Sequence, residues 1–199
     1  MFDCSNCRAI EQSSNREIEQ SNNRTIEIMN SNQLPVNEYP NYYSGYIQAL
    51  ENVQLIEELE ICLHDFIRFV QNLPMDKFDY RYAEGKWTIK DIIQHLIDVE
   101  RIFTYRALRI ARNDKTPLPG FDQNEYVDNA EANNRGIQSL LSEFSGVRHS
   151  TLDLFKSFSQ EQLVRIGNAS GHDISVRAIG FMIIAHQKHH QKVFQERYL

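Results

Sequence analysis

Cysteine is scarce and odd in number. Three thiols in 199 residues do not make a disulfide framework, and the expectation is a reduced, cytoplasmic protein. A basic excess is missing too. The net charge of −6 and a pI near 5.6 leave nothing with which to neutralise phosphates, which argues against non-specific binding to nucleic acid or to an anionic membrane. No apolar run approaches the length of a membrane span, and the N-terminus lacks the apolar core of a signal peptide. No stretch alternates in the manner of a β-strand. What is present is a soluble globular balance, 41% hydrophobic and 24% charged, in a chain long enough for one domain with a full core. The expected partner is a small-molecule substrate.

Residues 1–33 stand apart from the rest. Ile10-Glu-Gln-Ser-Ser-Asn-Arg-Glu is followed by Ile18-Glu-Gln-Ser-Asn-Asn-Arg-Thr and by Ile26-Glu, a crude eight-residue repeat rich in Ser, Asn, Gln and Glu. Such a segment buries too little apolar surface to offset its ordering entropy, so a disordered tail is expected. Cys4 and Cys7 have the spacing of half a zinc site, but no second pair completes it, and they read as ordinary thiols. The domain is expected over 34–199, opening with the proline-marked connector Leu34-Pro-Val-Asn-Glu-Tyr-Pro.

Four amphipathic patterns follow. The first spans about Ser44–Gln71, with Val53, Ile56, Leu63, Phe66 or Ile67, and Val70 as its stripe. The second starts at Thr88, which with Asp91 makes a capping box, while Trp87 and Ile92 form a staple; it runs to about Arg112 with Ile92, Leu96, Val99, Phe103 and Ala107 inward. Residues 113–130 read as a long irregular connection, of the kind that often serves as a lid. The third helix is expected over about Ala132–Phe158, with a short helical turn from Ser159 and a loop at Asn168–Asp173 containing an exposed His172. Ser175 caps the fourth. The expected fold is therefore all-α, a four-helix bundle with a long connection between helices 2 and 3.

The last helix carries the chemistry. Ile179, Ile183, His186, His190 and Val193 recur at steps of four and three, one stripe on one face. Two imidazoles thus replace aliphatic residues in a core-facing stripe, four residues apart and able to point at one atom. Burying both is costly unless something satisfies them, and a divalent metal does. His95, at the edge of the second stripe, is the best-placed third ligand. His189 and His64 are rivals. Asp98 and Glu100 are candidate partners for imidazole N–H groups. Cys62 reads as a small core or boundary residue.

From about Tyr42 to the C-terminus the chain resembles the DinB-like superfamily, in particular its YfiT-type branch of metal-dependent hydrolases and bacillithiol transferases. The resemblance rests on Gly85-Lys-Trp-Thr-Ile-Lys-Asp-Ile-Ile-Gln-His95, on Thr116-Pro-Leu-Pro-Gly-Phe-Asp122, on Ser175-Val-Arg-Ala-Ile, and on His186-Gln-Lys-His-His190. It implies a four-helix bundle, often a homodimer, holding a divalent metal, Ni2+ or Zn2+, on three histidines. By position those are His95, His186 and His190.

Three neutral imidazoles leave a metal its full charge and an open position, as in a catalytic rather than a closed structural site. Two chemistries follow. A low-molecular-weight thiol such as bacillithiol, ionised at the metal, becomes a nucleophile for S-transfer; Arg101, Arg106 and Lys188 are the cations that an anionic thiol would meet, although a surface salt bridge is the blander role for each. Alternatively, a metal-bound water serves hydrolysis, with Glu125, Asp122 or Asp98 as general base. A third reading is a non-catalytic metal-binding bundle.

Overall fold

The computed structural model describes residues 30–199, so the polar repeats, Cys4 and Cys7 lie outside the described residues. The first helical pattern is broken in two, α1 (Ser44–Gln48) and α2 (Leu55–Gln71). The break has a cause in the residues before it. The Ser31 hydroxyl donates to the Glu51 carbonyl at 2.5 Å and accepts from the Val53 N–H at 3.1 Å, while the Ser31 N–H donates to the Val53 carbonyl. Backbone groups that a continuous helix would pair internally are thus paired with residue 31 instead. Glu51 takes the left-handed conformation, φ 57°, which ends the helix.

Helix α3 (Ile89–Ala111) begins as expected. The Thr88 hydroxyl accepts from the Asp91 N–H at 3.0 Å, and the Asp91 carboxylate accepts from the Thr88 N–H at 2.9 Å. Its stripe of Ile92, Leu96, Val99, Phe103 and Ala107 is buried. The connection that follows is only partly irregular. Asp122 accepts from the Asn124 and Glu125 N–H groups and so caps a further helix, α4 (Gln123–Ala130). Glu131 then turns left-handed, φ 49°, and a 3-10 turn at Ala132–Asn134 precedes α5 (Ile137–Lys156). The third bundle helix therefore starts later than the hydrophobic pattern implies.

After the short α6 (Gln160–Leu163), with its own Ser159–Gln162 capping box, the chain makes a β-hairpin where the sequence shows no strand pattern. Strand β1 (Ile166–Ala169) pairs antiparallel with β2 (His172–Ser175), Ile166 opposite Ser175. Four-residue strands are too short to display an alternation. Their signal lies instead in the tip, where Ser170 and Gly171 both have positive φ, 55° and 80°, as a type I′ turn requires. Helix α7 (Val176–Val193) starts from the Ser175 cap and ends in a π-helical turn, Phe194–Tyr198.

Helices α2, α3, α5 and α7 form the four-helix bundle, with α3 packed against both α5 and α7. Two apolar clusters fill it, one containing Leu55, Phe155 and Ile179, the other Phe66, Phe144 and Phe194. Between the helices runs a buried polar strut. Arg148 on α5 binds Glu100 on α3 through two bonds at 2.8 and 2.9 Å, donates to the Leu59 carbonyl on α2, and donates to Gln187 on α7. No helix of the described residues is long and apolar enough to cross a membrane.

Candidate metal centre

The α3 cap fixes where His95 falls, two turns into that helix and 2% exposed. Trp87, immediately before the cap, packs with the cluster that includes Ile92 and lays its ring 4.9 Å from the His95 ring. The Tyr198 hydroxyl holds the Trp87 carbonyl at 2.5 Å, so the C-terminal turn braces the same corner. On α7, Gln187 is gripped by Arg148 at 2.8 Å and donates to the Cys62 carbonyl at 2.8 Å. That grip sets the rotation of α7 about its axis, and with it the direction of the neighbouring His186.

The three rings meet. His186 Nε2 lies 3.1 Å from His95 Nε2 and 3.1 Å from His190 Nε2. Ligand atoms of the three residues all fall within 4.8 Å of one another. A proton on one Nε2 can serve only one neighbour, so hydrogen bonding cannot satisfy a focus of three such atoms. A cation can. Ligand distances of about 2.0–2.1 Å in a tetrahedral set correspond to nitrogen separations of roughly 3.3 Å, close to those found here. Burial pushes His95 down to about 4 and His190 down to about 3. His186 is held well below the usual imidazole range, by burial first and by His190 and His95 next. All three rings are thus neutral near pH 7, the form that ligates. With Nε2 turned inward, Nδ1 is the atom left to carry the proton. His190 Nδ1 is buried and makes no hydrogen bond among the described residues.

The rivals fall elsewhere. His189 is exposed, with its ring 5.0 Å from Tyr46; it lines the same cavity but is not part of the cluster. His64 and His172 are exposed. Asp98 and Glu100 make no bond to an imidazole. Glu100 is taken up by Arg148 and by the Thr151 hydroxyl at 2.7 Å, and Asp98 accepts from Gln94 at 2.9 Å. Cys62 is buried, donates to Glu58 at 3.2 Å and is pushed up to about 12 by burial and by Glu58, which makes it an inert thiol.

His186 and His190 of the triad line a cavity of about 470 Å³. Its walls include Tyr42, Tyr43 and Tyr46 from the α1 region, Trp87 just before α3, Phe103 and Arg106 of α3, Phe121 and Gln123 from the connection, Ser170 at the hairpin tip, and His189. No carboxylate lines it among the described residues. Asp98 is half-buried elsewhere on α3; Asp122 and Glu125 are exposed, and Asp122 is occupied in capping α4. The tyrosine wall has no helical periodicity to mark it; its signal in the sequence is the cluster of three tyrosines in Asn41-Tyr-Tyr-Ser-Gly-Tyr. Arg101 pairs with Glu143 at 2.6 Å and Lys188 with Glu58 at 2.6 Å, both as partly exposed salt bridges. Arg106 has no such partner among the described residues.

A four-helix bundle with three imidazoles focused between two of its helices is the class of protein that fold and site define. The chain belongs to the DinB superfamily, whose family model matches residues 58–194. It is 23% identical over 155 residues to a protein of Oceanobacillus iheyensis named as a putative metal-dependent hydrolase, covering 73% of this chain and 88% of that one. It is 25% identical over 117 residues to YfiT of Bacillus subtilis, named in the same way, covering 56% and 64%. The fold is similar to the solved structure of YfiT, described as a probable metal-dependent hydrolase with an unusual four-helix bundle topology. That match has a TM-score of 0.64 and 17% identity over 71% of this chain and 82% of that one.

Proposed function

We propose that this protein is a metal-dependent enzyme transferring a low-molecular-weight thiol of the bacillithiol type, with His95, His186 and His190 holding Ni2+ or Zn2+. One observation carries the reading: of the three converging histidines, His186 and His190 line a cavity without a carboxylate among the described residues. Activating water calls for a general base within reach of it. A thiol needs less help, because its ordinary pKa is already near 8.5. A cation on three neutral imidazoles supplies the Lewis acidity that ionises a thiol entering the cavity. The chain's own residues do the rest. The imidazoles stay neutral through burial. Trp87 and Phe103 keep the floor apolar. His189, on the wall and solvent-accessible, relays the thiol proton outward. The transfer balances as RSH plus E–X giving RS–E plus HX: the bond from sulfur to the electrophile forms as the bond to X breaks, and X takes up the proton that His189 has passed on.

Hydrolysis is the second reading. It is favoured by the names of the relatives and by His189 as a basic group on the same wall. Elemental analysis of the purified protein, then titration of its cobalt form with thiols, tests both. One metal per chain and a saturable thiolate charge-transfer band support thiol transfer. Metal without a thiol response moves the assignment to the hydrolase or to a non-catalytic bundle. Absence of metal overturns all three.

A further inference from the structure

Three arginines of the described chain are buried: Arg106, Arg148 and Arg177. Arg148 is paired with Glu100, and Arg177 with Glu38. Arg106, 5% exposed, has no carboxylate within ion-pairing distance among the described residues. Leaving a buried guanidinium without a counter-ion is costly. Its surroundings hold it in place without neutralising it. Nη2 donates to the Pro119 carbonyl and to the Ser170 hydroxyl, each at 2.8 Å, which ties α3 to the connection and to the hairpin tip. The rings of Phe103 and Phe121 each lie 5.9 Å from Cζ. Nε and Nη1 make no hydrogen bond to the described residues, and neither is among the sealed, partnerless atoms. They are left for whatever enters the cavity.

We propose that Arg106 is the anion-recognition residue of this cavity, and that the ligand carries a carboxylate a short chain away from the group that meets the imidazoles. The proposal rests on the thiol reading for the other end of the ligand. Phe103 separates the two ends: its ring centroid is 5.9 Å from Arg106 Cζ and 6.4 Å from the His186 ring. Tyr42 and Tyr43 share the wall with Arg106. Burial, and next Tyr42, pushes the Tyr43 hydroxyl up, so it stays a donor and cannot compete as an anion. A buried, pre-positioned cation beside phenolic donors fits a carboxylate and disfavours a neutral or cationic tail, because a charge-assisted bond is roughly twice as strong as a neutral one.

The test uses the cobalt-loaded full chain and matched probes: 3-mercaptopropionate, 4-mercaptobutyrate and 6-mercaptohexanoate against the mercaptoalcohols of the same lengths, read by the charge-transfer band. At the best length the acid is expected to bind about tenfold tighter or more. Arg106→Gln should remove that advantage while leaving the alcohol's affinity unchanged, and Arg106→Lys should keep part of it. Equal affinity of acid and alcohol for the wild-type protein at every length overturns the proposal, and this comparison does not depend on a variant folding. A missing band with every thiol is a different failure: it removes the thiol reading. Arg106 is then judged by calorimetry with glutarate. Binding to the wild type that Arg106→Gln loses sustains the assignment, and no binding to the wild type overturns it.

Discussion

Arg148 Nη2 donates to Gln187 Oε1 at 2.8 Å, so the buried Arg148–Glu100 pair is joined to the residue next to His186. The strut thus connects the interior of the bundle to both histidine-bearing helices, since Glu100 sits on α3 with His95. Removing one member of a buried pair leaves the other charge uncompensated, at a cost of about 3–5 kcal/mol. Arg148→Met is expected to lose that much in urea unfolding, and Glu100→Gln somewhat less. Because the strut orients α7, Glu100→Gln should also weaken metal binding without touching a ligand. Unchanged affinity would show that the helix orientation is set elsewhere.

Metal should bind the folded chain and stabilise it. At a free concentration a hundred times Kd the gain is about 2.7 kcal/mol. Thermal melts with and without chelator should show it in the wild type. His190→Ala should abolish both the stoichiometric metal and the metal-dependent shift; full retention of metal would reject the three-histidine assignment.

Acid should act on the metal-free protein in a defined direction. The folded pKa values of His95 and His190 are lowered from 6.5 to about 4 and about 3, so below pH 6.5 the unfolded chain binds more protons than the folded one. Stability therefore rises with pH across that window and levels off above it. Melting the metal-free protein between pH 4 and 8 should show a decline below about 6.5. His95→Gln should flatten part of that slope. An equal slope in the variant would place its cause in other groups.

Gly180 lies within α7, where alanine would gain about 1 kcal/mol in helix propensity. A Cβ there would sit 2.8 Å from Phe155 Cε1 and 2.9 Å from Leu55 Cδ1, and overpacking of a filled core costs about 1–3 kcal/mol. The second effect is the larger. Gly180→Ala should be net destabilising in chemical denaturation, by up to about 2 kcal/mol, and a stabilised variant would show that α2 and α5 yield easily.

The parts of the fold that were legible in advance are those with short-range causes. The Thr88–Asp91 box, the Ser175 cap and the stripe through Ile179, Ile183 and His186 are each written within a few turns of helix, and each appears where its residues put it. The misreadings share the opposite origin. The first helix is split by Ser31, some twenty residues away, which takes over the backbone groups of Glu51 and Val53. The helix α4 is hidden inside an irregular-looking connection because its cap, Asp122, reads in the sequence as a candidate general base rather than as a capping residue.

The sequence by itself determined the capped starts of two bundle helices, their apolar faces, and that His95, His186 and His190 stand on such faces, because capping and helical periodicity are properties of neighbouring residues. Only the tertiary structure decided that three Nε2 atoms meet, and that of the candidate cations Arg101 and Lys188 are paired at the surface while Arg106 is buried without a carboxylate among the described residues. Charge pairing joins residues far apart in the chain, Arg148 with Glu100 and Arg177 with Glu38. Which charge is left over is therefore fixed by packing and by nothing local.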